Sequence, residues 1–248
     1  MLRLAIVLLV CLLLLVAAFA VFQRKLLYYP THHRNSSGLA EWRYRGELIG
    51  YAREVAAPRN VWLMLHGNGG QASDRVYALS SFSPLDSVFI LEYPGYGNRP
   101  GSPSLAAFNQ TAEQAYRVLR SSFPHIPVCV VGESIGSGPA SVLAGVSPPP
   151  DKIVLVTPYD VLGTVASYHF PYLPVGLILW DNWNNVKALK GYQGPLEIIG
   201  ARDDTIIPIR FARALAESKP TARFREIPGG HNEWATPGRV EIRNPQGG

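Results

Sequence analysis

The chain has 248 residues, 47% hydrophobic and 17% charged, with 23 Lys and Arg against 18 Asp and Glu for a net charge of +5. Its basic residues are scattered and form no aromatic-spaced stripe, which argues against nucleic acid as a partner. There is no internal repeat, no low-complexity tract and no H-E-x-x-H metal motif, so nothing calls for a metal or other cofactor.

The first element is Leu4 to Phe22, an uncharged run flanked by Arg3 and by Arg24-Lys25. As a helix it rises about 28 Å, close to the roughly 30 Å of a bilayer core. It reads as an uncleaved transmembrane anchor. A cleaved signal peptide is the rival, because Ala18-Phe19-Ala20 fits an A-x-A site. Leu8-Leu9-Val10-Cys11 lacks the small residue that lipoprotein processing needs. Flanking charge is nearly balanced (Arg3 on one side; Arg24, Lys25 and Arg34 on the other) and does not fix orientation. The short N-terminus resembles an export signal, which favours an extracytoplasmic or periplasmic location for the domain that follows. The division is anchor or signal peptide 1–25, neck 26–47 and a globular domain 48–248. The remainder past the anchor and a short neck, roughly 210 residues, is ample for one buried core. Cys11 falls in the anchor and Cys129 in a buried strand, so the two cannot pair.

Past the neck, strands are expected near 48–55, 61–66, 87–93, 127–132, 152–157, 195–200 and 222–227. Helices are expected near 73–82, 104–122, 135–145 and 208–218. Leu105, Phe108, Ala112, Ala115, Tyr116 and Leu119 give the second helix one apolar face. Such alternation implies a mostly parallel, doubly wound α/β sheet with its site at the carboxyl ends of the strands.

Chemistry-bearing residues fall at those ends. Strand 61–66 runs into His66-Gly67-Asn68-Gly69-Gly70, a loop whose backbone can approach a substrate oxygen. It is not a phosphate cradle: no G-x-x-x-x-G-K-[ST] pattern is present, and no Lys lies between Asn60 and Lys152. His66 reads as structural. Strand 127–132 runs into Gly132-Glu133-Ser134-Ile135-Gly136, a G-x-S-x-G nucleophile elbow that lifts Ser134 into the open. The expected oxyanion donors are the backbone N–H groups of Asn68 and Ile135. Pro158 to Tyr192 is rich in aromatics and prolines; it is either a short lid or the packing of a connecting helix, and leaves an open or shallow acyl pocket. Strand 195–200 is followed by Asp203 and Asp204, of which Asp204 is the expected acid and Asp203 a neighbour that caps the loop or pairs with Arg202. His231, in Gly229-Gly230-His231-Asn232 beyond the last strand, is the expected base.

The order Ser134, Asp204, His231 resembles that of the α/β-hydrolase superfamily. With Phe22 to Pro30, His66 to Gly70, Glu92-Tyr93-Pro94-Gly95-Tyr96-Gly97 and Gly230-His231-Asn232, the chain resembles the membrane-anchored BEM46-like and ABHD13/ABHD17-type serine hydrolases. The resemblance runs from residue 22 to 233 and implies the α/β-hydrolase fold and a Ser134-Asp204-His231 triad. It says little about substrate. The chain departs from that family after His231, where an amphipathic helix is expected but Pro237, Pro245 and three glycines stand, implying a short last helix or a frayed end. The reading is a membrane-bound serine hydrolase acting on a carboxylic ester or thioester of a small or lipid-like acyl substrate. An amidase or peptidase, or a non-catalytic membrane-anchored interaction protein, is the alternative.

Overall fold

A computed structural model of the chain describes residues 2–244; Pro245 and the last two glycines of the tail lie outside the described residues. An eight-stranded sheet forms its centre, in the order β10-β9-β8-β7-β4-β6-β3-β2. The strands are β2 (Ala40–Tyr44), β3 (Glu47–Arg53), β4 (Val61–Leu65), β6 (Ser87–Leu91), β7 (Val128–Glu133), β8 (Ile153–Val156), β9 (Leu196–Ala201) and β10 (Arg223–Ile227). Neighbours are parallel except where β3 meets β2 and β6. Two further short strands, β1 (Tyr29–Pro30) and β5 (Gly69–Gly70), pair with each other.

The central strands are apolar without alternation because both faces are covered. In β4, Val61, Leu63 and Leu65 point into one core. That face is covered by α2 (Leu105–Ser122), α3 (Ser137–Val142), α6 (Asn185–Leu189) and α7 (Ile209–Glu217). Trp62 and Met64 point into the other, covered by the 3-10 helix Ala72–Ser81 and by the tail. The expected helix over 104–122 is α2, with Ser104 capping the backbone N–H of Ala107.

One region differs from expectation, and two resolve what the sequence left open. Residues 40–44, assigned to the neck, form β2, the antiparallel edge strand of the sheet. Ala-Glu-Trp-Arg-Tyr alternates as a half-exposed edge does, and only Trp42 is buried. The Pro158–Tyr192 stretch is both things proposed for it: Tyr159 and Trp183 are buried in the core, whereas Phe170, Tyr172 and Trp180 are exposed on a subdomain of α4 (Leu162–His169) and α5 (Val175–Ile178). Among the described residues the tail carries a 3-10 turn at Glu233–Ala235, in line with the short last helix expected. It nonetheless packs firmly, with Trp234, Val240 and Ile242 buried and the Ile242 N–H donating to Ser81 O at 2.8 Å.

Helix α1 (Leu2–Leu27) is apolar on all sides and exposed along most of its length. Its stretch Ile6–Leu27 is long and apolar enough to cross a membrane. Its last turns are held by the rest of the protein. Gln23 is buried, accepts the Trp180 N–H at 2.7 Å and donates to Ile178 O at 3.2 Å. Arg24 and the Tyr28 hydroxyl both reach Asp181, at 2.9 and 3.0 Å.

Candidate active site

The turn after β7 carries Ser134 with φ of 54°, in the left-handed region that a non-glycine residue enters only under constraint. The glycines around it permit the turn. A Cβ on Gly136 would stand 2.1 Å from Leu65 O, and one on Gly132 would stand 2.6 Å from the Ala140 methyl. A 3-10 turn, Ser134–Gly136, follows and leads into α3.

The structure brings Ser134, His231 and Asp204 together from three loops. His231 Nε2 lies 2.9 Å from Ser134 Oγ, and its Nδ1 lies 2.6 Å from Asp204 Oδ2. The carboxylate can only accept, so Nδ1 carries the proton and Nε2 is left to accept from the serine hydroxyl. Asp204 is held by the Ile206 and Ile207 N–H groups, which donate to its Oδ1 at 2.8 and 2.7 Å. Asp203 points away. Its carboxylate accepts the Gly229 N–H at 3.1 Å, tying down the loop before His231, and Arg202 pairs instead with Glu226.

Asn68 and Ile135, the expected oxyanion donors, both line the cavity that opens on Ser134. The Asn68 side chain holds its loop from behind: its amide donates to Leu27 O, and its Oδ1 accepts from the Tyr96 hydroxyl at 2.9 Å and the Tyr29 N–H at 3.3 Å. His66 is fully buried, with Nδ1 2.7 Å from Gly67 O, in a structural position.

Glu133, beside the serine, is the centre of a network that sequence reasoning missed. Its Oε2 accepts the Gly67 N–H at 2.8 Å; its Oε1 accepts the Trp234 indole N–H at 3.0 Å and the Tyr77 hydroxyl at 3.1 Å. Arg75 Nε stands 3.5 Å away. Burial alone would raise the Glu133 pKa, but Arg75, the indole and the Gly67 N–H hold it below the ordinary carboxylate value. One ionised carboxylate thereby joins the elbow, the Gly67 loop and the tail behind His231. Glu133 is one of the two unspecified positions of the G-x-S-x-G pattern, and partners from positions 67, 75, 77 and 234 leave no local pattern.

Ser134 lies between two cavities. One, of about 500 Å³, is mainly apolar and lined by Ile135, Leu162, Val165 and Ile207, and on its far side by Phe19, Gln23, Leu26 and Leu27 of α1. The other, of about 530 Å³, is bordered by Arg75, Tyr77, Glu133, His231 and Asn232. An open or shallow acyl pocket was expected; the apolar cavity is open to solvent, and α1 supplies one of its walls. Among the described residues no cluster of His, Cys, Asp or Glu could hold a metal ion.

No family model matches the chain. An uncharacterized protein of Mycobacterium tuberculosis is 31% identical over 176 residues, 69% of this chain and 62% of that protein. Lysophosphatidylserine lipase ABHD12 of Macaca fascicularis is 27% identical over 201 residues, 71% of this chain and 50% of the lipase. The chain thus spans between half and 62% of the length of these relatives. Among solved structures, a Pyrococcus furiosus esterase superposes with a TM-score of 0.64 at 13% identity, over 85% of this chain and 91% of that one. An alpha-beta hydrolase from Vibrio vulnificus gives 0.61 at 18% identity, over 73% of this chain and 70% of that one.

Proposed function

We propose that this chain, a protein of the α/β-hydrolase fold, is a membrane-anchored serine hydrolase that cleaves carboxylic esters or thioesters through an acyl-enzyme. The observation that carries the reading is the continuous relay from Asp204 through His231 to Ser134, with steps of 2.6 and 2.9 Å. His231 Nε2 takes the hydroxyl proton as Ser134 Oγ bonds to the acyl carbon. The oxygen that becomes negative is met by the N–H groups of Asn68 and Ile135, each worth about 3 kcal/mol in the transition state. Collapse of this intermediate breaks the bond to the leaving group, which takes the proton from His231. Water, deprotonated by the same imidazole, then attacks the acyl carbon and returns the serine. Asp204 keeps the imidazole in the required tautomer and supports its transient charge.

The lipase named among the relatives favours a lipid ester as substrate. The motifs from residue 22 to 233 favour kinship with the BEM46-like and ABHD13/ABHD17-type group. Residues 4–22 serve as an uncleaved single-pass anchor, with the catalytic domain on the extracytoplasmic side; protease protection in sealed spheroplasts tests that side. The hydrolase assignment is tested by turnover of a chromogenic acyl ester. Ser134→Ala should lower kcat by about 10⁶-fold. An unchanged rate in that variant, or no turnover of any ester or thioester by folded wild type, contradicts the assignment.

A further inference from the structure

The apolar cavity beside Ser134 has an unusual boundary. Its domain side is a pocket wall of buried side chains, among them Leu162, Val165 and Ile207. Its other side is the apolar helix that would cross the membrane, which contributes Phe19, Leu26 and Leu27. From Phe19 to Leu27 the helix rises about 12 Å, so the cavity runs alongside α1. Phe19 meets Phe170 edge to face at 6.4 Å, closing a rim between helix and subdomain. Phe170 at that rim, with Tyr172 and Trp180 farther along the same segment, is exposed on the subdomain that grips α1 through Gln23 and Asp181. Aromatic side chains with a wet end collect at the headgroup level of a bilayer. The opposite cavity is different in kind, holding Arg75, Tyr77 and Asn232. The two meet at Ser134, which gives the substrate a direction: acyl chain toward α1, polar leaving group toward Arg75.

We propose that the last two and a half turns of α1 are a wall of the acyl-binding site, and that this site opens at the bilayer surface so that the acyl chain of a membrane-lipid ester reaches Ser134 along the helix that anchors the enzyme. On this account α1 is a specificity element as well as an anchor. It selects long acyl chains already lying in the leaflet, and Phe19 and Leu26 set the width of the path. The Gln23 and Arg24 contacts keep that wall in register with the catalytic serine, and the Leu27–Tyr29 contacts with Asn68 join it to the oxyanion loop.

The inference rests on the serine-hydrolase reading, and the test separates the two. Full-length protein in phosphatidylcholine vesicles is treated with a long-chain alkyl fluorophosphonate carrying a diazirine near the chain end. Ser134 Oγ bonds to phosphorus and fluoride leaves; light then fixes the chain to whatever lines its path. Cross-links within residues 19–27 are expected. Adducts on Ser134 with cross-links only to residues 67–77 or 231–233 overturn the acyl direction and leave the hydrolase standing. No Ser134 adduct removes both. A second arm measures kcat/KM for p-nitrophenyl palmitate and butyrate. Phe19→Trp and Leu26→Trp should cut the palmitate-to-butyrate ratio at least tenfold, whereas Leu13→Trp, on an exposed stretch of the same helix, should leave it unchanged. An unchanged ratio in both α1-wall variants contradicts the role of α1.

Discussion

Asp204 uses both carboxylate oxygens: one takes two backbone N–H groups, the other takes the His231 proton. Replacing it by Asn should lower kcat by about 10⁴-fold, because an amide can present its NH₂ to Nδ1 and favour the wrong tautomer. Asp203→Asn should cost less than tenfold; the reverse ranking in steady-state kinetics would move the acid to Asp203. Glu133 offers a test by pH. Its pKa is lowered from the model-compound 4.5, so the folded state releases a proton that the unfolded chain holds near that pH. Its contribution to stability is therefore complete above about pH 4.5 and lost as pH falls through the lower folded value. Glu133→Gln leaves the Arg75 guanidinium buried without its counter-charge and should cost roughly 3–5 kcal/mol at neutral pH. Denaturant melts of the variant should also show a shallower loss of stability in acid than wild type; equal slopes would contradict the assigned charge. The juxtaposition of Ser134, Asp204 and His231 was legible because each sits in a short pattern at a strand end. Glu133 and Arg75 were not, since their pairing depends on how two distant loops meet.

The elements were legible in proportion to their burial. Seven expected strands fall on seven strands of the sheet; five of them, β4, β6, β7, β8 and β9, are fully buried and read as mostly apolar runs. The eighth, β2, was hidden in an alternating edge sequence. The elbow between β7 and α3 tolerates no side chain at Gly136, where an added Cβ would meet Leu65 O at 2.1 Å. Gly136→Ala should abolish ester turnover or soluble expression, and a variant of wild-type activity would refute the packing argument. The tail holds the second face of the sheet through side chains in place of helical turns. Trp234 is fully buried and donates to Glu133. Trp234→Ala should cost about 3–5 kcal/mol, which for a domain of this size lowers Tm by roughly 10 °C. A calorimetric shift under two degrees would mean the tail is only loosely attached. Prolines and glycines announced the loss of a helix there but not its replacement, because irregular packing has no period to read.

At the scale of the molecule, the apolar helix α1 and the α/β-hydrolase-fold domain are one structure. The sequence separates them cleanly by hydropathy, yet β1 pairs with β5 and Asn68 reaches back to Leu27 and Tyr29. A chain beginning at Thr31 should therefore lose kcat even on a short, soluble ester, because the oxyanion loop loses its brace. A chain beginning at Val21 keeps Gln23, Arg24 and Tyr28 and should retain short-chain activity. Equal rates for the two would show that the neck does not support the site. The most direct test of the hydrolase account is the chemistry of one hydroxyl. Folded full-length protein is incubated with a simple fluorophosphonate, digested, and the adduct located by mass spectrometry. The account predicts a single adduct on Ser134, absent in Ser134→Ala and slowed by orders of magnitude in His231→Ala. An unmodified Ser134 in folded wild-type protein would contradict it.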